Sequence, residues 1–387
     1  MGKKIFFYFS LFLFSQSMIS CGYRLPDFSN PLDPLSYNAD TYAIALKNIN
    51  QHDMGISTAS SFTAVWSGSA AVLLYTPDGT VLSALSCDED AVVKVGASNL
   101  ATASSSIGAI KATTGGGNIG ISVYDGGDIM FFLIDSELNI LSSFTVVASG
   151  AASYHEMSEP VFMGTDRWAF AYTDSSKDVK IILLDTSTSS ASLIDSIIVY
   201  SGSVTSMSVG GLSMRSDGSG EGMLLIADDD GTSATVLNSV FFSIVSDAIS
   251  ASSSDTITAT ISGVGALPLR NNNSHYFFLD TDMTDIIGIF LNSANLIWSK
   301  AWGLGTVSVL DVNMEAEGFS ILYDDGSGSL VLIRKDDSLS SSKTDSPYSL
   351  YSYTNGIKAA LADTGEKYLV FYSDTDGVTA ANIYCLE

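Results

Sequence analysis

Basic residues are scarce in this sequence. Lys and Arg total 17 against 42 Asp and Glu, which gives a formal net charge of −25. Because nucleic acids and anionic lipids are themselves negative, this composition predicts no nucleic-acid partner. Charged residues make up only 15% of the chain, whereas hydrophobic residues make up 46%. The chain can therefore bury a large core, which excludes a disordered acidic tail.

Specific catalytic and zinc-binding motifs are also missing. The sequence has no Gly-x-Ser-x-Gly nucleophile motif and no glycine-rich phosphate loop that leads into a helix pattern. Its three histidines, His52, His155 and His275, lie far apart along the chain and have no neighbouring cysteine. Zinc needs three or four converging ligands, so no zinc site is predicted.

The N-terminus has the layout of an export signal. Two lysines precede an apolar run over residues 5–14, which is too short to span a bilayer, and small or polar residues lead into Cys21. This layout resembles a bacterial lipoprotein signal peptide. The resemblance implies that residues 1–20 are removed and that Cys21 is acylated, so that the chain is attached to a membrane by its N-terminal lipid. An ordinary cleaved signal followed by an incidental cysteine is the alternative.

Residues 21–40 are predicted to be the lipidated cysteine and an extended tether. The segment contains Pro26, Pro31 and Pro34 and shows no periodicity, as expected of an extended spacer. In envelope lipoproteins the residue after the cysteine is a sorting cue, and Gly22 is not the Asp associated with inner-membrane retention. The resemblance therefore implies the cell envelope and the outer membrane, on its periplasmic side or at the cell surface.

One pattern recurs about every fifty residues after the tether. An aromatic or β-branched run ends in an acidic turn, and a second apolar run follows, as in a β-hairpin. Seven such hairpins have first runs that begin at Phe62, Gly120, Trp168, Gly222, His275, Gly318 and Lys367. Each hairpin is interpreted as the second and third strands of a unit, with one strand before it and an outer strand after it.

Four antiparallel strands in each of seven units resemble the blades of a β-propeller, over residues 41–387. The resemblance implies an all-β fold, a seven-bladed β-propeller of four-stranded antiparallel blades. A β-sandwich or β-helix built from similar strands is the alternative. The last unit ends without an outer strand, and the unpartnered run from Tyr42 to Lys47 is predicted to supply it and close the ring.

Cysteine is scarce, with three in the chain. Besides Cys21 only Cys87 and Cys385 remain, in a compartment that permits a disulfide. Cys87 is predicted to follow the outer strand of the first unit and Cys385 the third strand of the last, toward opposite ends. Bridging requires Cα atoms within about 7 Å, so two unpaired thiols are expected and a disulfide is the alternative.

The acidic residues are predicted to gather on one face. Turns between second and third strands share one end of a propeller, and they are rich in aspartate, whereas Arg167 and Arg215 lie beside the turns at the other end. An acidic ligand-binding face is predicted to include Asp125, Asp174, Asp228, Asp280, Asp324 and Asp374. Tyrosines recur just before these acids, at Tyr124, Tyr172, Tyr323 and Tyr372. They are interpreted either as binding residues beside the carboxylates or as side chains packed between blades.

Two of these turns approach a metal-binding pattern. Asp228 and Asp230, and likewise Asp374 and Asp376, alternate before a glycine and can supply the oxygen ligands that calcium prefers. Neither turn has a bidentate acid downstream, and tight turns select Asp and Gly without any metal. The sequence therefore predicts no cofactor, and calcium binding at these turns is the alternative.

The sequence as a whole predicts a lipid-anchored binding or scaffold module of the cell envelope that captures a protein or glycan partner through its acidic face. The alternative is an envelope hydrolase that cleaves glycans with a pair of carboxylates at the propeller mouth.

Overall fold

The computed structural model describes the chain from residue 45 to residue 386 with gaps. The described ranges are 45–57, 59–151, 157–201, 207–216, 218–229, 235–261, 270–271, 276–282, 285–292, 295–301, 308–315, 318–336, 348–353, 357–364, 367–374 and 377–386. Regular structure in these ranges consists of 29 β-strands. None of the described residues forms a helix that is long and apolar enough to span a membrane. The all-β prediction is confirmed.

The strands form seven sheets within the described ranges, numbered here in chain order. Sheet 1 contains β2 (Phe62–Trp66), β3 (Ala71–Tyr75), β4 (Val81–Cys87) and β5 (Val93–Thr102). Sheet 2 contains β6 (Ile107–Gly115), β7 (Asn118–Asp125), β8 (Asp128–Ile134) and β9 (Ile140–Ser149). Sheet 3 contains β10 (Val161–Gly164), β11 (Arg167–Thr173), β12 (Asp178–Asp185) and β13 (Ser192–Ser201).

The remaining sheets follow in the same manner. Sheet 4 contains β14 (Met207–Ser216), β15 (Glu221–Asp229), β16 (Thr235–Val245), β17 (Ala248–Ala251) and β18 (Asp255–Ile261). Sheet 5 contains β19 (Arg270–Asn271), β20 (Tyr276–Asp282), β21 (Asp285–Asn292) and β22 (Asn295–Ala301). Sheet 6 contains β23 (Ser308–Glu315), β24 (Gly318–Asp324), β25 (Ser329–Asp336) and β26 (Tyr348–Ser352). Sheet 7 contains β27 (Lys358–Asp363), β28 (Lys367–Asp374), β29 (Gly377–Leu386) and β1 (Ala45–Ile56).

Sheets 1, 2, 3, 5 and 6 are antiparallel meanders whose strands pair in chain order. The prediction of four-stranded units is confirmed for six of the seven sheets in the described ranges and is wrong for sheet 4. There β16 pairs with both β17 and β18, so two short strands share the outer position beside one long strand. A four-stranded meander repeated along the chain is the unit of propeller-like folds.

The strand assignment of the first unit was wrong by one strand. The run that begins at Phe62 is the first strand of sheet 1 and not the second, because it pairs on one side only, with β3. Cys87 therefore ends the third strand and does not follow the outer one. It is a free cysteine, fully buried, and burial raises the pKa of its thiol to about 12, so the thiol is protonated at neutral pH.

The N-terminal strand lies next to β29 at the edge of sheet 7. It spans Ala45–Ile56, whereas the sequence placed it at residues 42–47. The first three of those predicted residues lie outside the described ranges. The order β27, β28, β29, β1 unites strands from the two ends of the chain in one sheet.

The hydrophobic core lies between sheets, in separate clusters. Clusters in the described part of the chain join sheets 1 and 2, 2 and 3, 3 and 4, 6 and 7, and 7 and 1. Middle strands are buried on both faces, and β3 (AVLLY) is buried at every position. Outer strands such as β5 and β13 are largely exposed. This gradient explains why the middle strands read as continuous apolar runs.

Two hairpin turns in the described ranges hold two consecutive non-glycine residues in the left-handed region. They are Thr165-Asp166 before β11 and Ser246-Asp247 before β17, with φ values of 38°, 57°, 52° and 63°. Two-residue hairpin turns with positive φ at both positions fit the twist of the strands, and Asn or Gly adopts them at low cost. A β-branched residue such as Thr165 is strained there.

We expect Thr165→Asn to raise the free energy of unfolding by about 0.5–1 kcal/mol, because asparagine tolerates the left-handed conformation better than a β-branched residue. Urea unfolding of the two proteins measures the difference. Thr102→Asn is the matched control, at an exposed position near the end of β5 with no positive φ. Equal effects at the two positions would contradict the strain at Thr165.

Candidate functional site

Aspartate closes four hairpin turns in the described ranges in the same way. In each turn, Oδ1 of the first residue accepts hydrogen bonds from the backbone N–H groups two and four residues later. The first residues are Asp88, Asp135, Asp174 and Asp325. In the turn that follows Asp174, the donors are Ser176 N at 2.8 Å and Asp178 N at 3.1 Å. The carboxylate thus satisfies backbone donors that the turn leaves without a strand partner.

These turns occur at both ends of the sheets. Asp174 and Asp325 lie between second and third strands, whereas Asp88 and Asp135 lie between third and fourth strands, at the opposite end of their sheets. In the residues that the structure describes, the predicted separation into an acidic end and a basic end is therefore incomplete. Arg167 itself contacts two carboxylates, Asp185 Oδ1 at 2.9 Å and Asp247 Oδ1 at 2.8 Å.

Asp125 is a predicted ligand residue whose carboxylate is already occupied. It ends β7 with a side chain that is 4% exposed. Oδ2 accepts hydrogen bonds from Ser104 N and Ser104 Oγ, both at 2.8 Å, and Oδ1 accepts from Ser105 N at 2.7 Å and from Ser105 Oγ. Asp125 therefore fixes the connection between sheets 1 and 2, a role that the sequence did not indicate.

Asp174 and Asp324 also have partners of their own. Lys180 Nζ lies 2.7 Å from Asp174 Oδ2. Asp324 Oδ1 accepts a hydrogen bond from Gly326 N at 2.8 Å, and its carboxylate is also hydrogen-bonded to Tyr353. Among the described residues no group of three His, Cys, Asp or Glu side chains is placed to hold a metal ion.

Several predicted site residues fall outside the described residues or side chains. Backbone strands include Asp228, Asp280 and Asp374, but nothing is described of their side chains; Cys21, Asp230 and Asp376 lie outside the described ranges, and the side chain of Cys385 is likewise not described. The calcium site, the lipidation site and the unpaired thiol of Cys385 stay predictions, as does the alternative of glycan hydrolysis.

Four carboxylates in the turns between second and third strands share a lowered pKa. At Asp78 the cause is hydrogen bonding from the backbone N–H groups of Val81 and Thr80. At Asp125, Asp174 and Asp325 burial acts in the opposite direction, but hydrogen bonds to the ionised form outweigh it. Aspartate is already ionised at neutral pH, so what the fold adds at this end of sheets 1, 2, 3 and 6 is the fixed position of these carboxylates. Sequence reasoning missed Asp78 because the run from Phe62 was interpreted as a second strand, which placed the turn between second and third strands before β3.

The recurring tyrosines are mostly packed between sheets. Tyr172, Tyr323 and Tyr372 are 6%, 2% and 3% exposed, and Tyr75 occupies the same kind of position in sheet 1 at 4%. Burial raises the pKa of Tyr75 and Tyr172, and it raises the pKa of Tyr323 to about 12. Among the described tyrosines at these positions, packing between sheets is therefore the interpretation that the structure favours.

Comparisons with known proteins bear on the fold alone. No model of a known protein family matches the chain, and neither does any curated protein. Similar solved structures include a prolyl endopeptidase, at TM-score 0.50 and 12% identity over 84% of this chain and 47% of that chain. They also include the Dos1 propeller, at TM-score 0.49 and 9% identity over 88% and 95% of the two chains. The Saccharomyces cerevisiae protein Sqt1 is similar at TM-score 0.49 and 10% identity over 87% and 99%. This chain spans about half the length of the endopeptidase.

Proposed function

We propose that this chain is a lipid-anchored binding module built as a seven-bladed β-propeller, which captures a cationic partner in the cell envelope. The ring is supported by the order of contacts between first strands. β2 contacts both β6 and β27, β6 contacts β10, β10 contacts β14, and β23 contacts β27. The last sheet is thus a neighbour of the first, as a closed ring requires.

Two ion pairs at equivalent positions support the same closure. Arg167, the first residue of β11 in sheet 3, contacts Asp247 in the turn between third and fourth strands of sheet 4. Lys367, the first residue of β28 in sheet 7, contacts Asp90 in the corresponding turn of sheet 1. Sheet 7 therefore meets sheet 1 as sheet 3 meets sheet 4. β1 then supplies the outer strand of the last blade and closes the ring.

The binding role is carried by one observation. The turns between second and third strands hold Asp78, Asp125, Asp174 and Asp325 in a form whose ionised state is favoured by hydrogen bonds. Asp78 is exposed and Asp325 is partly exposed, whereas Asp125 is buried and Asp174 is paired with Lys180. A partner that approaches this end therefore meets the carboxylates of Asp78 and Asp325 already held in place, which reduces the ordering cost of association. Complementary charge selects a cationic partner and speeds the encounter. Acylation at Cys21 would hold this face at the outer membrane.

The test uses a decalysine peptide as the cationic probe and the protein carrying Cys21→Ser, so that it stays in solution. Asp128→Asn with Asp178→Asn removes two charges from the proposed face. The four carboxylates that accept hydrogen bonds in its turns, those of Asp78, Asp125, Asp174 and Asp325, are left unchanged. We expect this double variant to weaken peptide binding about fivefold at low salt, and added salt to remove the difference. Calorimetric titration at two salt concentrations measures both effects.

A matched double variant separates a local face from net charge. Glu137→Gln with Asp166→Asn removes two charges from turns at the other end of the sheets. We expect it to bind the peptide like the parent protein. Equal weakening by both double variants would mean that only the total charge attracts the peptide, and the proposed face would be abandoned.

A further inference from the structure

The interface between sheets 7 and 1 has an alanine-rich core. Its buried cluster includes six alanines in the described residues: Ala64, Ala71, Ala91, Ala360, Ala362 and Ala380. The same cluster contains two aromatic side chains, Tyr75 and Phe371, whereas the cluster between sheets 2 and 3 contains four aromatic side chains and two alanines. Because hydrophobic stabilisation scales with the apolar area removed from water, alanine side chains contribute less than aromatic ones.

A charged contact crosses the same interface. Lys367 Nζ lies 2.8 Å from Asp90 Oδ1 and 3.3 Å from Glu89 Oε1, and the lysine side chain is only 6% exposed. A second lysine on sheet 7, Lys358, donates a hydrogen bond to the Ser60 carbonyl just before sheet 1. A buried ammonium is costly to leave without a partner, so the interface depends on the two carboxylates staying in place.

We propose that Lys367, Asp90 and Glu89 form an ionic latch that holds sheet 7 against sheet 1, and that this interface opens locally before the rest of the fold when the latch is weakened. Both carboxylates are about half exposed, at 52% and 53%. Dissolved salt therefore screens them, and their attraction to Lys367 weakens as ionic strength rises. Sheet 7 contains β1, the strand that follows the predicted tether, so a pull on the tether would act on the sheet that the latch secures.

Hydrogen exchange of backbone amides tests the latch in the full chain. Asp90→Asn with Glu89→Gln removes both carboxylates of the latch. We expect exchange in β2, β27 and β28 to speed up about tenfold, while exchange in β11 and β12 of sheet 3 stays as in the parent. We also expect the parent to show faster exchange at this interface in high salt and the double variant to have lost that dependence.

Asp247→Asn is the matched control, since it removes the equivalent contact between sheets 3 and 4. It should leave exchange in β2, β27 and β28 unchanged. Unchanged exchange at the sheet 7–sheet 1 interface in the double variant would overturn the latch, and so would an increase of the same size in sheet 3. Neither outcome depends on peptide binding, so failure of the latch is distinguishable from failure of the acidic face.

Discussion

Gly120→Ala is expected to cost about 3 kcal/mol of unfolding free energy, because a side chain at this position has no room. A Cβ on Gly120 would lie 2.4 Å from Trp168 Cζ3 and 2.6 Å from Cε3. Trp168 is 1% exposed, and its ring is held by Phe131 and Phe162, with ring centroids 6.0 and 5.5 Å away. The indole therefore cannot move aside without disturbing the core between sheets 2 and 3.

Gly96→Ala is the control for this substitution. Gly96 lies in the outer strand β5, where an added Cβ would meet no heavy atom within 4 Å. We expect its unfolding free energy to change by no more than about 0.5 kcal/mol, the usual range for surface substitutions. Urea unfolding of both variants against the parent gives the comparison. A cost at Gly120 as small as that at Gly96 would show that the Trp168 ring is free to move.

The middle strands were predictable from sequence because burial on both faces leaves continuous apolar runs. The first unit misled the prediction because β2 (FTAVW) carries aromatic residues at both ends, although it is a first strand. The strand that follows it, β3, is buried throughout, so two adjacent runs have the composition of a middle pair. The shift also concealed the similarity of Tyr75 to the other buried tyrosines.

The role of the acidic residues was harder to predict, because turn capping and ligand binding select the same residue. Each of the four turns that aspartate closes has a residue with positive φ three positions after the aspartate. These turns begin at Asp88, Asp135, Asp174 and Asp325. At three of them this residue is Ala91, Leu138 or Lys177, and only the fourth has glycine, Gly328. Without a repeated glycine, no turn signature marks these aspartates as caps. The hydrogen bonds of Asp125 are also invisible in sequence, since its donors lie about twenty residues earlier.

Asp125→Asn is expected to cost about 3 kcal/mol at neutral pH, because an amide cannot replace the carboxylate as an acceptor on both sides. One of the two oxygens becomes an NH₂ group that faces N–H or O–H donors from Ser104 or Ser105. The site is almost fully buried, so water does not replace the lost hydrogen bonds. Asp128→Asn, on the other side of the same turn, is the control and is expected to cost less than about 0.5 kcal/mol.

The cost at Asp125 should depend on pH in a defined direction. Hydrogen bonds from Ser105 and Ser104 lower the pKa of Asp125 in the folded protein against the opposing effect of burial. A carboxyl with a lowered folded pKa stabilises the protein above its unfolded pKa, near 3.8, and loses that contribution as the pH falls through the folded pKa. The difference between parent and Asp125→Asn should therefore be largest at neutral pH and shrink below about pH 4. Urea unfolding at several pH values measures it, and a constant difference down to the lowest pH would show that packing, and not the charge on Asp125, holds this connection.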